Sequence, residues 1–185
     1  MAWRGAREMT VAGAARHVLV MRHAKSDWDS GPGSDFDRPL AKRGERDAPR
    51  MGRWLREQAL IPDRVVSSPA VRARQTCLLV CEALAIKKGQ IHWEPAIYGA
   101  EVATLLNVLA RCPKKTQRLL LVGHNPALED LVAYLAAGTG ALPARGKLLP
   151  TGAVVGIRLP ESWAGLQPGC GQIETHRVPK ALAED

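Results

Sequence analysis

Two apolar runs in this chain each end in a histidine: Val18-Leu19-Val20-Met21-Arg22-His23 and Leu119-Leu120-Leu121-Val122-Gly123-His124. A third, Val65-Val66, leads into Ser67-Ser68-Pro69-Ala70-Val71-Arg72. Short apolar runs bounded by polar and turn residues read as strands buried on both faces of a parallel sheet. Open α/β sheets place their ligand sites outside the carboxyl ends of such strands. That placement would bring Arg22, His23, Arg72 and His124 to one crevice. Such a set of arginines and histidines suits a phosphoryl-transfer pocket that works with no metal and no cofactor.

The segments between the runs alternate in the same sense. Residues 25–37 are polar and contain Gly31, Pro32 and Gly33, which exclude regular structure; the length suggests a functional lip. A helix follows, with Ala48, Met51, Gly52 and Leu55 at i, i+3, i+4 and i+7 marking its inner face, and Pro49 then belongs in or near its first turn. After the strand Arg64–Ser67, Ser68 reads as an N-cap and Pro69 as the first helical residue, which puts Arg72 one turn inside. A strand near Ile91–Trp93 and a helix from about Glu101 to Ala110 precede the Leu119 run. Asn125-Pro126 repeats the cap-plus-proline start before an apolar face of Leu128, Leu131, Val132 and Leu135. Closing strands are expected over Thr151–Leu159 and Gln172–Val178, the last antiparallel. The expected fold is a three-layer α/β/α sandwich with a mostly parallel central sheet.

At 185 residues the chain fits one domain, expected over 17–180 behind a flexible extension, 1–16, that is rich in Ala, Gly and Arg. The net charge of +8 favours an anionic partner. Nucleic acid is not expected, because aromatic residues are only 4% and never interleave with the basic ones as in a single-strand binder. No apolar run is long enough to span a bilayer and no secretory h-region is present, so a soluble, cytoplasmic protein, free of membrane and monomeric, is expected. Cys77, Cys81, Cys112 and Cys170 lack the paired spacings of a zinc site; Cys77 and Cys81, four apart on a helix, read as core thiols.

The chemistry follows from residue type. Arg22 and Arg72 present planar, permanently charged forks matched to phosphate. His23 can attack through one ring nitrogen if the other donates to a backbone carbonyl, and His124 adds a donor, preferably as imidazolium beside a dianion. The helix start at Ser68-Pro69 contributes backbone polarity of the right sign. Alone, an Arg-His at a strand end is ordinary surface and Gly-His-Asn-Pro is a capped turn; only their combination carries the argument. His17, His92 and His176 lack this placement, and Arg74 points away from the Arg72 face.

The ordered motifs Leu19-Val-Met-Arg22-His23-Ala24-Lys25-Ser26, Asp35-Phe-Asp-Arg38-Pro39-Leu40 with Arg43-Gly44, Ser67-Ser-Pro-Ala-Val-Arg72-Ala-Arg-Gln75-Thr76 and Val122-Gly-His124-Asn-Pro126 resemble the histidine phosphatase superfamily. Within it the chain is most similar to the short SixA-type phosphohistidine phosphatases, from about residue 17 to Leu159. The resemblance implies a phosphoglycerate mutase-like fold with His23 as the nucleophile of a phosphohistidine intermediate. Arg22, Arg72 and His124 would form the phosphate pocket, with Arg38 a further basic residue near it. Asp35 occupies the place of a candidate proton donor, although Asp27, Asp29 and Asp37 share its loop. Ala24 stands where the commonest signature has Gly and is still small.

Glu94-Pro-Ala-Ile-Tyr98-Gly99 runs directly into the next helix, leaving no lid domain and an open cleft. That shape suits a phosphorylated side chain on a protein surface better than a metabolite that must be engulfed. The function implied is metal-independent hydrolysis of phosphohistidine on a protein such as a phosphorelay or phosphotransfer domain. The alternatives are a small-molecule phosphomonoesterase using the same pocket, on a small phosphate ester, and a non-catalytic phosphoprotein-binding module. A mutase would need a lid to protect its phosphoenzyme from water.

Overall fold

In a computed structural model of the chain, residues 14–138, apart from 30 and 32, and residues 148–182 are described. Most of the expected extension, residues 1–13, lies outside the described residues. The strands are β1 (Arg16–Arg22), β2 (Arg64–Ser67), β3 (Ile91–Trp93), β4 (Arg118–Gly123), β5 (Val154–Leu159) and β6 (Gln172–Arg177). They form one sheet in the order β3-β2-β4-β1-β5-β6. β1 to β4 are mutually parallel, β5 pairs antiparallel with β1, and β6 antiparallel with β5. The reversed strand is therefore β5, and β6 runs with the parallel core. The reason is connectivity: β5 and β6 are joined by a short excursion as neighbours, so β6 must turn back a second time.

The helices are α1 (Lys42–Glu57), α2 (Val71–Ala83), α3 (Val102–Ala110) and α4 (Ala127–Leu135). The strict alternation of side chains along a strand sorts the core into two halves. Val18, Val20, Leu119 and Leu121 face α3 and α4, whereas Leu19, Met21, Leu120 and Val122 face α1 and α2. All eight are essentially inaccessible, which is why the sequence runs are continuously apolar. This is the three-layer sandwich that the alternation of elements implies. Among the described residues no helix is long and apolar enough to cross a membrane.

Three local expectations need correction. Pro49 lies in the middle of α1, not in its first turn. The helix start is set upstream by tertiary contact: the Ala41 amide donates to the Lys25 carbonyl at 2.9 Å, and Glu45 N–H then donates to Ala41. Burial of Ala48, Met51, Trp54 and Leu55 offsets the hydrogen bond that proline cannot make. In α2, Ser68 does not cap the helix, which begins at Val71 with Ala70 as its flanking residue; Arg72 is its second residue. In α4 the flanking residue is Pro126, and the Asn125 amide instead donates to the Leu149 carbonyl at 3.0 Å.

Two glycines in α1 are close-contact positions. A Cβ on Gly52 would lie 2.8 Å from the Val80 carbonyl of α2, and one on Gly44 would run into the Lys25 carbonyl oxygen. Gly44→Ala is therefore expected to lower stability by about 1–3 kcal/mol, measured by urea unfolding, because backbone has to shift on both sides. Unchanged stability would show that α1 does not depend on its seat against Lys25.

Candidate active site

Strand register assembles the site. Arg22 pairs with Gly123, so the residues that follow, His23 and His124, emerge side by side from β1 and β4. The His23 amide donates to the Gly123 carbonyl at 3.0 Å, and the two imidazole centroids are 5.3 Å apart. On the other flank of β4, Ser67 pairs with Val122 and the Ser68 amide donates to Val122, which sets Ser68 beside His124. Arg72 arrives from the first turn of α2. The geometry thus brings Arg22, His23, Arg72 and His124 together at the carboxyl end of the parallel strands.

His23 is 6% exposed, with Nδ1 2.8 Å from the Ala24 carbonyl oxygen. A carbonyl can only accept, so Nδ1 carries the proton and Nε2 keeps its lone pair. Arg72 Nε lies 3.3 Å from that Nε2. Burial, reinforced by His124 and the two arginines, pushes the His23 pKa down to about 3, which leaves a neutral imidazole at ordinary pH. Ala24 is held in turn, its amide donating to Thr76 Oγ1 at 2.9 Å. The ring is therefore fixed in orientation and tautomer before any ligand arrives.

His124 Nε2 is 2.8 Å from Ser68 Oγ, while its Nδ1 is buried without a protein partner. Burial and then Arg72 lower its pKa to about 4, so the protein alone holds it neutral; only an added anion would favour the imidazolium. Arg22 donates to the Leu149 carbonyl at 3.0 Å and keeps a buried Nε without a protein partner. Two buried donor-capable nitrogens with no partner, on residues flanking His23, are the feature of a site built to be completed by an acceptor.

Asp35 lies across the mouth. Its carboxylate accepts from Arg72 Nη2 at 2.9 Å, from Arg38 Nη2 at 2.8 Å and from the Tyr98 hydroxyl at 3.1 Å. Hydrogen bonding from Arg38, with help from Arg72, holds its pKa at about 2. In this arrangement Asp35 is an ionised acceptor. Among the described residues it is the loop aspartate that lines the cleft; Asp37 is bonded to Ser34 and Asp27 accepts from the Asp29 amide. Arg38 also donates to Ser26 Oγ and stacks 3.6 Å from the Trp28 ring centroid, so it reaches Asp35 from a position already braced.

A cleft of about 380 Å³ opens beside His124, lined also by Asp35, Arg72, Ile97, Tyr98, Ala100 and Pro126. Tyr98 stands edge-on to both His124 and Phe36, at 5.5 and 5.1 Å. The link from β3 to α3 is a short 3-10 turn, Pro95–Ile97, with no inserted domain. Sequence reasoning did not find Ser68, Thr76, Ser26 or Tyr98 as parts of the site. For Ser68 a signal existed: in Ser67-Ser68-Pro69 a second serine precedes the proline, more hydroxyls than a single cap requires. Elsewhere, His17 pairs with Glu174 at 3.2 Å and His92 with Glu94 at 3.9 Å, both away from the cleft, while His176 is exposed and Arg74 lies over Trp93.

Two neutral histidines, His23 buried and His124 half-buried, imply a pH dependence of stability. An unfolded chain protonates histidine near about 6.5, whereas the folded protein resists protonation down to about 3 and 4. Between those values the unfolded state binds more protons, so this contribution is complete above pH 6.5 and is lost as the pH falls toward 4. Urea unfolding at pH 4.5 is expected to give a stability about 2–5 kcal/mol below that at pH 7, with the difference reduced in His23→Asn. Equal stability at the two values would contradict the assigned neutral state.

Comparison with known proteins agrees with this geometry. Residues 18–95 match the family model of the histidine phosphatase superfamily, branch 1. The uncharacterized protein MT1313 of Mycobacterium tuberculosis is 36% identical over 164 residues, covering 86% of this chain and all of that one. The phosphohistidine phosphatase SixA of Escherichia coli K12 is 28% identical, over 80% of this chain and 88% of its own length. A solved structure of the protein histidine phosphatase SixA complexed with tungstate superposes with a TM-score of 0.75 at 26% identity, covering 90% of this chain and 99% of that chain. Fold, motif order and kinship converge, and the chain belongs to the histidine phosphatase superfamily, with SixA phosphohistidine phosphatases as its structural neighbours.

Proposed function

We propose that this protein is a phosphatase that hydrolyses phosphohistidine on a protein substrate through a covalent intermediate on His23. The observation that carries the reading is the His23 ring, locked by Ala24 with an unprotonated Nε2 beside Arg72. In the first step Nε2 bonds to phosphorus as the phosphorus–nitrogen bond of the substrate breaks. Arg22, Arg72 and His124 neutralise the non-bridging oxygens, with the unpartnered Arg22 Nε and His124 Nδ1 as available donors. In the second step water attacks phosphorus, and inorganic phosphate leaves with His23 neutral again.

The identity of the leaving group is argued from Asp35. An alkoxide leaving group needs an acid, but the carboxylate nearest the cleft is held ionised. A phosphorylated imidazole protonated on its far nitrogen departs as neutral imidazole and brings its own proton. The short turn between β3 and α3 leaves the cleft accessible to a side chain presented by another protein. The SixA relative of E. coli bears the name phosphohistidine phosphatase, which supports the same substrate class.

The test is phosphate release from a phosphohistidine-bearing phosphotransfer domain and from an aryl phosphate, with His23→Ala in parallel. Faster turnover of the phosphoprotein, absent in the variant, is expected. Efficient hydrolysis of the aryl ester with none of the phosphoprotein would instead assign the pocket to small phosphomonoesters, and inactivity on both would leave a binding module.

A further inference from the structure

We propose that the arginine stripe on the exposed face of α1, formed by Arg43, Arg46, Arg50 and Arg53, is the surface that docks an acidic face of the phosphoprotein substrate. The inference rests on the protein-substrate reading above and adds the place and the sign of the contact.

The spacing of three, four and three residues puts these arginines on one helix face, opposite Ala48, Met51 and Leu55 in the core. α1 carries six basic residues against three acidic ones. One of the acids, Asp47, is buried beneath the stripe and is shared by Arg43 at 3.3 Å, Arg46 at 3.3 Å and Arg50 at 3.9 Å. A single carboxylate cannot neutralise three guanidinium groups, so a net positive array remains. Asp47 holds the side chains in place, and Arg43 and Arg46 remain 57% and 58% exposed. With Nε engaged by Asp47 and the side chains more than half exposed, Arg43 and Arg46 keep guanidinium donors for a second carboxylate.

The stripe starts beside the site. α1 follows β1 and leads back to the parallel β2, so its first turn lies at the carboxyl end of the sheet, where His23 and His124 emerge. Ala41 bonds to the Lys25 carbonyl and Gly44 packs on the same backbone, only two residues past His23. Lys25 and Lys42, both exposed, extend the positive edge toward the mouth. Lys42 and Arg43 stand in the first turn of the helix with Glu45 as its one acidic residue, so the start of α1 is net positive although the helix dipole favours acidic residues there. Positive charge there steers an acidic partner and orients it with its phosphorylated side chain over the cleft.

The test uses peptides of equal length phosphorylated on one histidine, flanked by glutamates in one and by lysines in the other. At low salt the wild-type protein is expected to show a kcat/KM about tenfold higher for the Glu-flanked peptide, and the gap should close at high salt as screening shortens the field to about 3–8 Å. Arg43→Ala/Arg46→Ala should remove most of the gap while aryl phosphate hydrolysis stays within about twofold, which also shows that the variant is folded. A wild-type gap that persists in the variant, or no gap in the wild type, overturns the docking assignment alone. Equal losses on peptide and aryl ester overturn it as well, since the stripe would then act on the pocket. Failure of the wild type to dephosphorylate either peptide while it hydrolyses the aryl ester overturns the protein-substrate reading itself.

Discussion

Replacing His23 by alanine should reduce phosphate release by about 100,000-fold or more, the scale on which enzymes lose activity when a covalent nucleophile is removed. Phosphate binding should survive, within about tenfold of the wild-type affinity, because Arg22, Arg72 and His124 each keep an anchor other than the His23 ring. Arg22 is anchored on Leu149, Arg72 on Asp35 and His124 on Ser68. The alanine variant should also escape the protonation that burdens the buried imidazole, so its acid stability should improve rather than fall. Isothermal titration with inorganic phosphate, beside turnover measurements, separates the two effects. Loss of binding together with activity would mean that His23 holds the anion instead of attacking it.

The second large effect concerns Arg72. Arg72→Lys should lower kcat/KM by about 100- to 1,000-fold although the charge is kept. The arginine is 5% exposed and serves three directions at once: Nε toward His23, Nη1 to the Asp35 carbonyl at 2.5 Å and Nη2 to the Asp35 carboxylate. A lysine ammonium is a single point charge and cannot span nucleophile, loop and phosphate from one position in α2. Steady-state kinetics with circular dichroism as a check on folding measures this. A lysine variant within about threefold of wild type would show that only charge is needed.

Much of the site was legible because its four central residues sit at points that sequence marks well. Arg22, His23 and His124 end apolar runs, and Arg72 closely follows the Ser68-Pro69 step that ends another. The candidate site could thus be located without knowing strand order, since the carboxyl ends of parallel strands share one edge whatever their sequence in the sheet. What escaped were contacts created by register. Ser68 meets His124 only because β2 and β4 are neighbours, and Tyr98 meets Asp35 across sixty-three positions of chain. The ionised state of Asp35 was equally hidden, because it depends on both Arg38 and Arg72 closing on one carboxylate. Pro49 misplaced the start of α1 for a related reason: the seat on Lys25, not local propensity, sets where that helix begins.

The account turns on whether His23 Nε2 carries the phosphoryl group. The most direct measurement is to quench the enzyme in alkali during turnover and map the phosphorylated residue by mass spectrometry, exploiting the alkali stability and acid lability of a phosphorus–nitrogen bond. A phosphoryl group on His23, formed at least as fast as steady-state turnover and absent in His23→Ala, is the expected result. Turnover with no covalent phosphoenzyme, or a phosphoryl group on His124 or another residue, would contradict the mechanism at its first step.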